Sequence, residues 1–471
     1  MTGRQSRILL AKLLNHGNSN TTRAPPWQHC IRQVSTKRIC VSNMFLPSYK
    51  CPPAKDVTKC KSLQLMLNAG LIQSAGPGTF HFLPLALRSL EKLIKLIDST
   101  MGEIGAQKIA MPCLTKAELW KTSGRWDTMG AELFRLSDRH GGEYCLGPTH
   151  EEAITSLIGS EKSLSYKHLP LRLYQTTTKF RDEMTPKFGL LRGREFYMKD
   201  MYTFDTTEAK AMETYNAVCV AYETLFRRLG VACLKAVGDT GSIGGSVSHE
   251  YHFIAETGED KVFHCSKCGL SKNKELIDGD KPPCPEGLSG NDCPIEHHHA
   301  IEVGHTFYLG TKYSQVFDAS YVDPSGKHRT LEMGCYGLGV SRILAACIEV
   351  LSKGSEVRWP RLIAPYQVCI VPPKAGSKEE QGIQIAESLY DDISQLPGFR
   401  GEVVIDDRYD KTIGHRRKDA NIIGYPYVIV VGKKALQQEH LFELHSTNIG
   451  NSNFVNMGEL VQKLTTESTE L

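Results

Sequence analysis

Arginine and aromatic side chains are concentrated in two short stretches on either side of a loop. Residues 180–183 read F-R-D-E, and residues 192–196 read R-G-R-E-F. Strand-like runs at 172–180 and 195–204 predict an antiparallel hairpin with a long tip between them. Guanidinium groups on adjoining strands bind phosphate or carboxylate oxygens in pairs, so the hairpin is a candidate anion site. Taken alone, F-R-D-E is a weak signal and is more typical of a surface ion pair.

A second glycine-rich stretch comes before an apolar helix. Residues 334–342 read G-C-Y-G-L-G-V-S-R, and residues 343–351 are a mostly apolar run. Glycines allow close approach of a backbone to a ligand, although a tight strand-to-helix turn with a solvated Arg342 also explains them. The sequence has neither a G-x-x-x-x-G-K phosphate loop nor a dinucleotide fingerprint. Nucleotide phosphates would therefore have to be held by arginines.

In chain order, a helix-strand unit ending at Pro112, the F-R-D-E hairpin and residues 334–342 resemble motifs 1, 2 and 3 of class II aminoacyl-tRNA synthetases. Residues 146–152 (L-G-P-T-H-E-E), 239–246 (D-T-G-S-I-G-G-S) and 302–313 (E-V-G-H-T-F-Y-L-G-T-K-Y) resemble bacterial-type prolyl-tRNA synthetases. The likeness runs from about residue 60 to the C-terminus. It implies ATP-dependent ligation of L-proline to tRNA(Pro) through prolyl-adenylate, by a homodimer that pairs through the Pro112 region.

The resemblance implies a role for each residue of the hairpin. Arg181 would be catalytic, because a planar and always-charged guanidinium can bridge the proline carboxylate and the ATP α-phosphate. Glu183 would accept a hydrogen bond from the adenine amino group, and Phe196 would stack on the base. Arg192, together with the catalytic Arg342, would hold the γ-phosphate of a bent ATP.

The remaining implied ligands surround the ribose and the amino acid. Glu302 would lie near the ribose and α-phosphate and could share Mg²⁺, with His305 as a neighbour. Thr149, Glu151 and Phe307 would form the proline pocket with Arg181, because a secondary ammonium needs an acceptor and a countercharge. Without the resemblance, Glu151 is explained as a carboxylate at a helix N-terminus, and His305 as a structural histidine. No side chain stands out as a general base.

These residues need a rigid frame, which the rest of the sequence predicts. Residues 84–101 have helical spacing, 107–111 read as a strand stopped by Pro112, and a helix capped by Asp205 and Thr206 runs to about Leu229. A Cys, Pro and Gly-rich stretch at 265–299 interrupts regular structure. We expect an α+β catalytic domain with an antiparallel sheet, the class II synthetase fold, over residues 46–358.

Beyond Pro360, strands and helices alternate and predict a separate C-terminal α/β domain over residues 363–471. The predicted elements are strands 367–371, 402–405 and 427–431 and helices 379–394 and 413–420. This region resembles the anticodon-binding domain of the same subclass. The implied tRNA contacts, which a solvated helix face explains as well, are Arg408, Arg416, Arg417 and Lys418.

The N-terminus has the composition of an organelle transit peptide. Residues 1–55 hold nine Lys or Arg and no Asp or Glu, and short apolar patches are interspersed. We expect a disordered mitochondrial leader at 1–45 and a protein of the mitochondrial matrix, with a basic solvated tail as the alternative. No apolar run approaches 18 residues, so no membrane span is expected.

A short connector at 262–300 stands where bacterial prolyl enzymes usually carry a long editing insertion, so we predict that mischarged alanine is not removed. Structural zinc could be held there by Cys265, Cys268, Cys284 and Cys293. The first two have ligand spacing and the second two do not, so free thiols are favoured.

Two other functions fit parts of the pattern. One is a tRNA-binding relative that has lost adenylation, against which the intact arginines count. The other is a sister synthetase for threonine or another small amino acid, and the lack of a Cys/His/His zinc site argues against threonine.

Overall fold

The structure is a computed structural model that describes residues 38–47, 60–277 and 294–469. In the described ranges, no helix has the length and apolar character needed to cross a membrane. The α-helices are α1 (Lys61–Asn68), α2 (Pro84–Glu103), α3 (Ala117–Thr122), α4 (Arg125–Thr128), α5 (Glu151–Ser160), α6 (Glu208–Leu229), α7 (Lys312–Val316), α8 (Val340–Leu351), α9 (Gly382–Gln395), α10 (Ile413–Ile423) and α11 (Met457–Thr469).

The strands form sheets of two to nine members. They are β1 (Ile72–Gly76), β2 (Thr79–Phe82), β3 (Gln107–Lys108), β4 (Leu114–Lys116), β5 (Arg135–Ser137), β6 (Glu143–Leu146), β7 (Leu171–Phe180), β8 (Glu195–Asp205), β9 (Cys233–Val237), β10 (Val247–Ile254), β11 (Asp260–Cys265), β12 (Ser271–Asn273), β13 (Ile295–Gly310), β14 (Ser320–Val322), β15 (His328–Thr330), β16 (Glu332–Gly339), β17 (Val368–Val371), β18 (Val403–Ile405), β19 (Tyr427–Val430), β20 (Phe442–Ser446) and β21 (Asn451–Val455).

A nine-stranded sheet is the frame of the larger domain, in the order β10-β9-β12-β11-β13-β16-β8-β7-β3. Its pairs are antiparallel except β9 with β12 and β3 with β7, so the predicted antiparallel sheet is confirmed. The predicted hairpin is β7 and β8, paired from Leu171 opposite Phe204 to Phe180 opposite Glu195. Apolar residues of α2, α6 and α8 pack together with this sheet in one core.

Most predicted elements are confirmed, but several boundaries differ, among them Gly382–Gln395 and Ile413–Ile423 in the C-terminal domain. Strand β3 ends at Lys108 rather than Met111, because the Met111 amide donates to the side chain of Gln175 on β7 and not to the β7 backbone. Helix α6 is capped by Thr207, which accepts from the Lys210 amide, since β8 continues through Asp205. The connector is more regular than expected, because β13 begins at Ile295.

The C-terminal domain contains the five-stranded mixed sheet β18-β17-β19-β20-β21, as the predicted alternation of strands and helices requires. Trp359 ties it to the catalytic domain by donating from Nε1 to the Ile423 carbonyl oxygen at 2.8 Å. Glu402 adds an ion pair of 2.8 Å with Arg88 and a second pair with Lys92, both on α2. The two domains are therefore joined by polar contacts as well as by a shared core.

Residues 39–43 pack against the C-terminal domain. The Ile405 amide donates to the Ile39 carbonyl oxygen at 2.9 Å, and Ser42 donates to Asp407 from its amide at 2.9 Å and its hydroxyl at 2.6 Å. Val41 is buried. The leader was expected to be disordered to residue 45, and this is wrong for residues 39–43, which these contacts hold in place. Residues 1–37 lie outside the described part of the chain.

Candidate active site

The three arginines of the predicted anion site line one cavity of about 440 Å³. Arg181 follows the last residue of β7, Arg192 stands shortly before β8, and Arg342 is the third residue of α8. The antiparallel pairing of β7, β8 and β16 brings these three chain segments to one side of the sheet. The hairpin also contains partly exposed ion pairs, Glu183 with Arg192 and Asp182 with Arg194, so the ion-pair interpretation of F-R-D-E stands beside the anion site.

Arg181 is enclosed by charges of both signs. Burial is the main cause that lowers the pKa of Arg181, and the positive charge of Arg342 lowers it further. Three nearby carboxylates raise it: Glu302, Glu132 and Glu151. Its guanidinium lies 5.4 Å from the centre of the Phe196 ring. Two guanidiniums that repel each other across a cavity favour an anion between them.

Arg192 and Glu183 hold each other at the cavity. Arg192 Nε lies 2.9 Å from Glu183 Oε2, and its Nη1 donates to Glu259 Oε2 at 2.8 Å. The hydrogen bond from Arg192 lowers the pKa of Glu183. Both residues implied to bind ATP are therefore engaged with protein partners, and Glu259 is a cavity residue that the sequence did not indicate.

Glu302 connects Arg342 with His305. Its Oε1 lies 3.1 Å from His305 Nδ1, and its Oε2 accepts from Arg342 Nη1 at 3.3 Å. Burial opposes ionisation of Glu302, but the hydrogen bond and charge of His305 and the charge of Arg342 outweigh it and lower its pKa. His305 Nε2 also bonds Ser248 Oγ, and its ring stacks on Phe307 at 3.8 Å. His305 thus positions Glu302 and Phe307 together.

Oxygen ligands for a divalent cation are available beside Glu302. Asp260 lines the same cavity, and its pKa is raised to about 6 by burial and next by the charge of Glu302. Two carboxylates that repel each other provide the hard oxygen donors that Mg²⁺ prefers. Within the described residues, no three His, Cys, Asp or Glu side chains converge as a complete metal site.

The residues implied to bind proline lie at the buried side of the cavity. Thr149 Oγ1 donates to Glu151 Oε1 at 2.8 Å at the start of α5. Phe307 is buried and also lines the cavity. Glu151 Oε2 accepts from Arg125 Nη1 at 3.0 Å. Sequence reasoning missed Arg125, because a single arginine in a polar stretch carries no motif.

The glycines of residues 334–342 leave the cavity open. A Cβ atom added at Gly337 would approach only the His305 carbonyl oxygen and Met198 Sδ, both at 4.0 Å. Gly337 and Gly339 line the cavity between Arg181 and Arg342. Gly337 therefore leaves space beside its backbone, and the role of these glycines toward a bound ligand stays a prediction.

The four residues implied to contact tRNA differ in access. Arg416 is fully buried and donates to the carbonyl oxygens of Asp406 at 2.7 Å and Pro372 at 2.5 Å, so its prediction as a surface phosphate contact is wrong. Arg408 is partly buried and paired with Asp406 and Asp419. Arg417 and Lys418 are exposed.

The zinc alternative stays a prediction. Cys265 is buried in the connector and Cys268 is partly exposed, whereas Cys284 and Cys293 lie outside the described residues.

The chain matches two family models. The model described as "tRNA synthetase class II core domain (G, H, P, S and T)" matches residues 134–351, and the "Anticodon binding domain" matches residues 367–467. Together they confirm the predicted fold class of both domains.

Comparison with individual proteins gives the same result. The chain is 54% identical to "Probable proline--tRNA ligase, mitochondrial" of Rattus norvegicus, over 91% of each chain, and 51% identical to the Homo sapiens protein of the same name, over 94% of each. Among solved structures it resembles a Giardia lamblia prolyl-tRNA synthetase in complex with prolyl-adenylate, with a TM-score of 0.70, 20% identity, and coverage of 85% of this chain and 75% of that one. With relatives this similar over nearly their whole length, the chain belongs to the proline–tRNA ligase family of class II aminoacyl-tRNA synthetases.

Proposed function

We propose that this protein activates L-proline with ATP and transfers it to tRNA(Pro). The observation that carries the proposal is that Arg181 lines one cavity with Arg342 and Glu151, whose charges both act on it. Arg342 belongs to the side of the cavity suited to phosphates, and Glu151 to the side suited to an ammonium. Arg181 shares the cavity with both and can there bind a carboxylate and a phosphate together.

On the nucleotide side, Arg342 and Arg192 hold the γ-phosphate, Glu183 accepts from adenine, and Phe196 stacks on it. In the structure the guanidinium of Arg192 is paired with the carboxylates of Glu183 and Glu259. Arg192 must therefore leave both carboxylates when ATP binds. Glu302 and Asp260 would hold Mg²⁺, which when bound neutralises phosphate charge. Positioning and charge stabilisation by the arginines then favour in-line attack of the proline carboxylate on the α-phosphate, with pyrophosphate as the leaving group.

On the amino-acid side, Glu151 and Thr149 receive the secondary ammonium, and Phe307 supplies an apolar wall. Arg181 binds the carboxylate and faces the charge that develops at phosphorus. The product, prolyl-adenylate, has an activated carbonyl that the terminal ribose hydroxyl of the tRNA attacks in the second step, forming the ester and releasing AMP. The exposed Arg417 and Lys418 contribute to tRNA binding through phosphate oxygens.

The decisive experiment is pyrophosphate exchange into ATP with a panel of amino acids. We expect exchange with proline and not with threonine or alanine, and a fall of at least about 100-fold for Arg181→Lys. Arg172→Lys, on the same strand but outside the cavity lining, is the matched control and should retain activity. Exchange that depends on another amino acid, or no exchange at all, would contradict the proposal.

Three further properties are proposed. The first is that the protein acts in the mitochondrial matrix. Import of a fluorescent fusion of residues 1–55 into mitochondria tests this.

The second is that the protein is a homodimer that pairs near Pro112, where Leu114 has 53% of its surface exposed. Light scattering tests this by measuring the mass of the protein in solution.

The third is that the protein does not clear alanyl-tRNA(Pro), since β10 and β13 are joined by a short connector that includes β11 and β12. A deacylation assay with alanyl-tRNA(Pro) tests this.

A further inference from the structure

Two consecutive carboxylates share one guanidinium at the proline side of the cavity. Arg125 Nη1 lies 3.0 Å from Glu151 Oε2 and 3.0 Å from Glu152 Oε1. Arg125 is 3% exposed, and Glu151 and Glu152 are each 1% exposed. Only Glu151 of these three lines the cavity. Arg125 and Glu152 can therefore affect a ligand only through Glu151.

The guanidinium of Arg125 has a fixed place. Its central carbon lies 5.0 Å from the centre of the Trp120 ring and 5.8 Å from that of Tyr313. Burial opposes its charge, but the charges of Glu151 and Glu152 outweigh burial and raise its pKa. Arg125 is thus a permanent cation beside the carboxylate that faces the cavity.

That cation creates an electrostatic problem. A guanidinium paired with Glu151 alone would cancel the charge that a ligand ammonium needs. Glu152 shares the Nη1 nitrogen of Arg125 with Glu151, and its Oε1 also accepts from Ser123 Oγ at 2.8 Å. Lys312 also acts electrostatically on Arg125 and on both carboxylates, but its Nζ donates to the Ile243 carbonyl oxygen at 2.7 Å rather than to a carboxylate. Glu152 is therefore the group that offsets Arg125.

We infer that Arg125 and Glu152 are positioning residues that determine selectivity for proline. Arg125 and Thr149 each bind one oxygen of Glu151, which fixes the orientation of its carboxylate toward the cavity. Glu152 offsets the charge of Arg125, so that Glu151 keeps a full negative charge for the secondary ammonium. The inference rests on the proposed activation of proline.

The test compares proline with tetrahydrofuran-2-carboxylate, a ring of the same shape in which an oxygen replaces the ammonium nitrogen. Proline is assayed by pyrophosphate exchange and the analogue by competition. For Glu152→Gln, which changes charge and hardly changes volume, we expect KM for proline to rise roughly tenfold while KM for ATP stays within about twofold. Binding of the uncharged analogue should not weaken, so the preference for proline over the analogue should fall.

Two further variants complete the design. Arg125→Met should raise KM for proline by about thirtyfold or more, and Arg125→Lys should recover part of the loss. Glu349→Gln makes the same chemical change at a buried glutamate that accepts from the Ser62 amide, and it should leave the preference for proline unchanged. If Arg125→Met does not fold, Glu152→Gln still carries the test.

The inference is overturned if Glu152→Gln raises KM for proline and for ATP alike, or if it weakens binding of proline and the analogue equally. Either result would mean that the pair only supports the local fold. A wild-type enzyme that shows no proline-dependent exchange would instead overturn the proposed function, and the inference with it.

Discussion

Arg342 donates from a single nitrogen, Nη1, to both the carbonyl oxygen of Glu302 at 2.9 Å and its carboxylate at 3.3 Å. Arg342 Nε donates to the Leu191 carbonyl oxygen at 2.9 Å. The guanidinium is therefore held in one plane by protein groups before any ligand arrives. This arrangement lowers the reorganisation needed when phosphate binds.

Arg342→Lys should remove this fixed orientation, because an ammonium cannot reach the Leu191 and Glu302 oxygens at once. We expect kcat/KM for ATP in pyrophosphate exchange to fall by about 100-fold or more, with a smaller change in KM for proline. Steady-state exchange with each substrate varied in turn measures both. Equal effects on the two substrates would show that Arg342 supports the whole cavity rather than the nucleotide side.

Arg416 and Arg417 are neighbours on α10 with different surroundings, so their variants should differ. Arg416→Met leaves two buried carbonyl oxygens without their donor and should destabilise the protein by about 2–4 kcal/mol, seen in thermal unfolding. Arg417→Ala loses only a 3.7 Å contact with Glu443 and should unfold at an unchanged temperature. The Arg417→Ala variant should also raise KM for tRNA. The salt dependence of tRNA binding should decrease by about one phosphate contact. The opposite pattern would exclude Arg417 as an RNA contact.

Asp205 is 1% exposed, and burial raises its pKa to about 6. A carboxyl group whose folded pKa lies above its ordinary value stabilises the fold at low pH, and this contribution is lost as pH rises from about 4 to 6. Asp205→Asn keeps an acceptor for Thr214 and carries no charge. It should stabilise the protein by about 1–3 kcal/mol at pH 7.5 and much less at pH 4.5. A stability difference that does not change with pH would contradict this.

Glu402 binds α2 from the C-terminal domain through Arg88 and Lys92. Because no residue of the cavity takes part, Glu402→Ala should leave pyrophosphate exchange within about twofold of wild type. Transfer of proline to tRNA should fall about tenfold, because it requires both domains to be held in register. Assays on the same preparation measure the rate of pyrophosphate exchange and the rate of aminoacylation. Lys95→Ala, also on α2, is the control.

The predicted site residues that the structure brings into one cavity are those in which residue type, spacing and chemistry agree. The hairpin arginines, Glu302 and the glycines before α8 occur in short contiguous motifs on β7, β8, β13 and β16, and pairing of these strands brings them together. Strand alternation and turn residues are local signals, so the hairpin and the C-terminal domain are also predicted closely.

The parts that the sequence does not predict depend on contacts between distant residues. Arg125 reaches Glu151 and Glu152 from 26 and 27 positions away, and nothing in the sequence around it indicates that pairing. Arg416 looks like Arg417 in the sequence, but one turns inward to two carbonyl oxygens and the other faces solvent. Burial of a charged side chain is decided by tertiary packing, which composition and periodicity do not contain.

Residues 39 and 40 lie beside β18, the outermost strand of the five-stranded sheet, and Cys40 forms a parallel bridge with Ile405. An uncovered edge strand with the sequence Val-Val-Ile offers free amide and carbonyl groups to other chains and invites intermolecular pairing. The short segment before Ser42 therefore covers this edge and reduces pairing between copies of the protein. A recombinant form that starts after residue 44 should be more prone to aggregate than one that starts at residue 38.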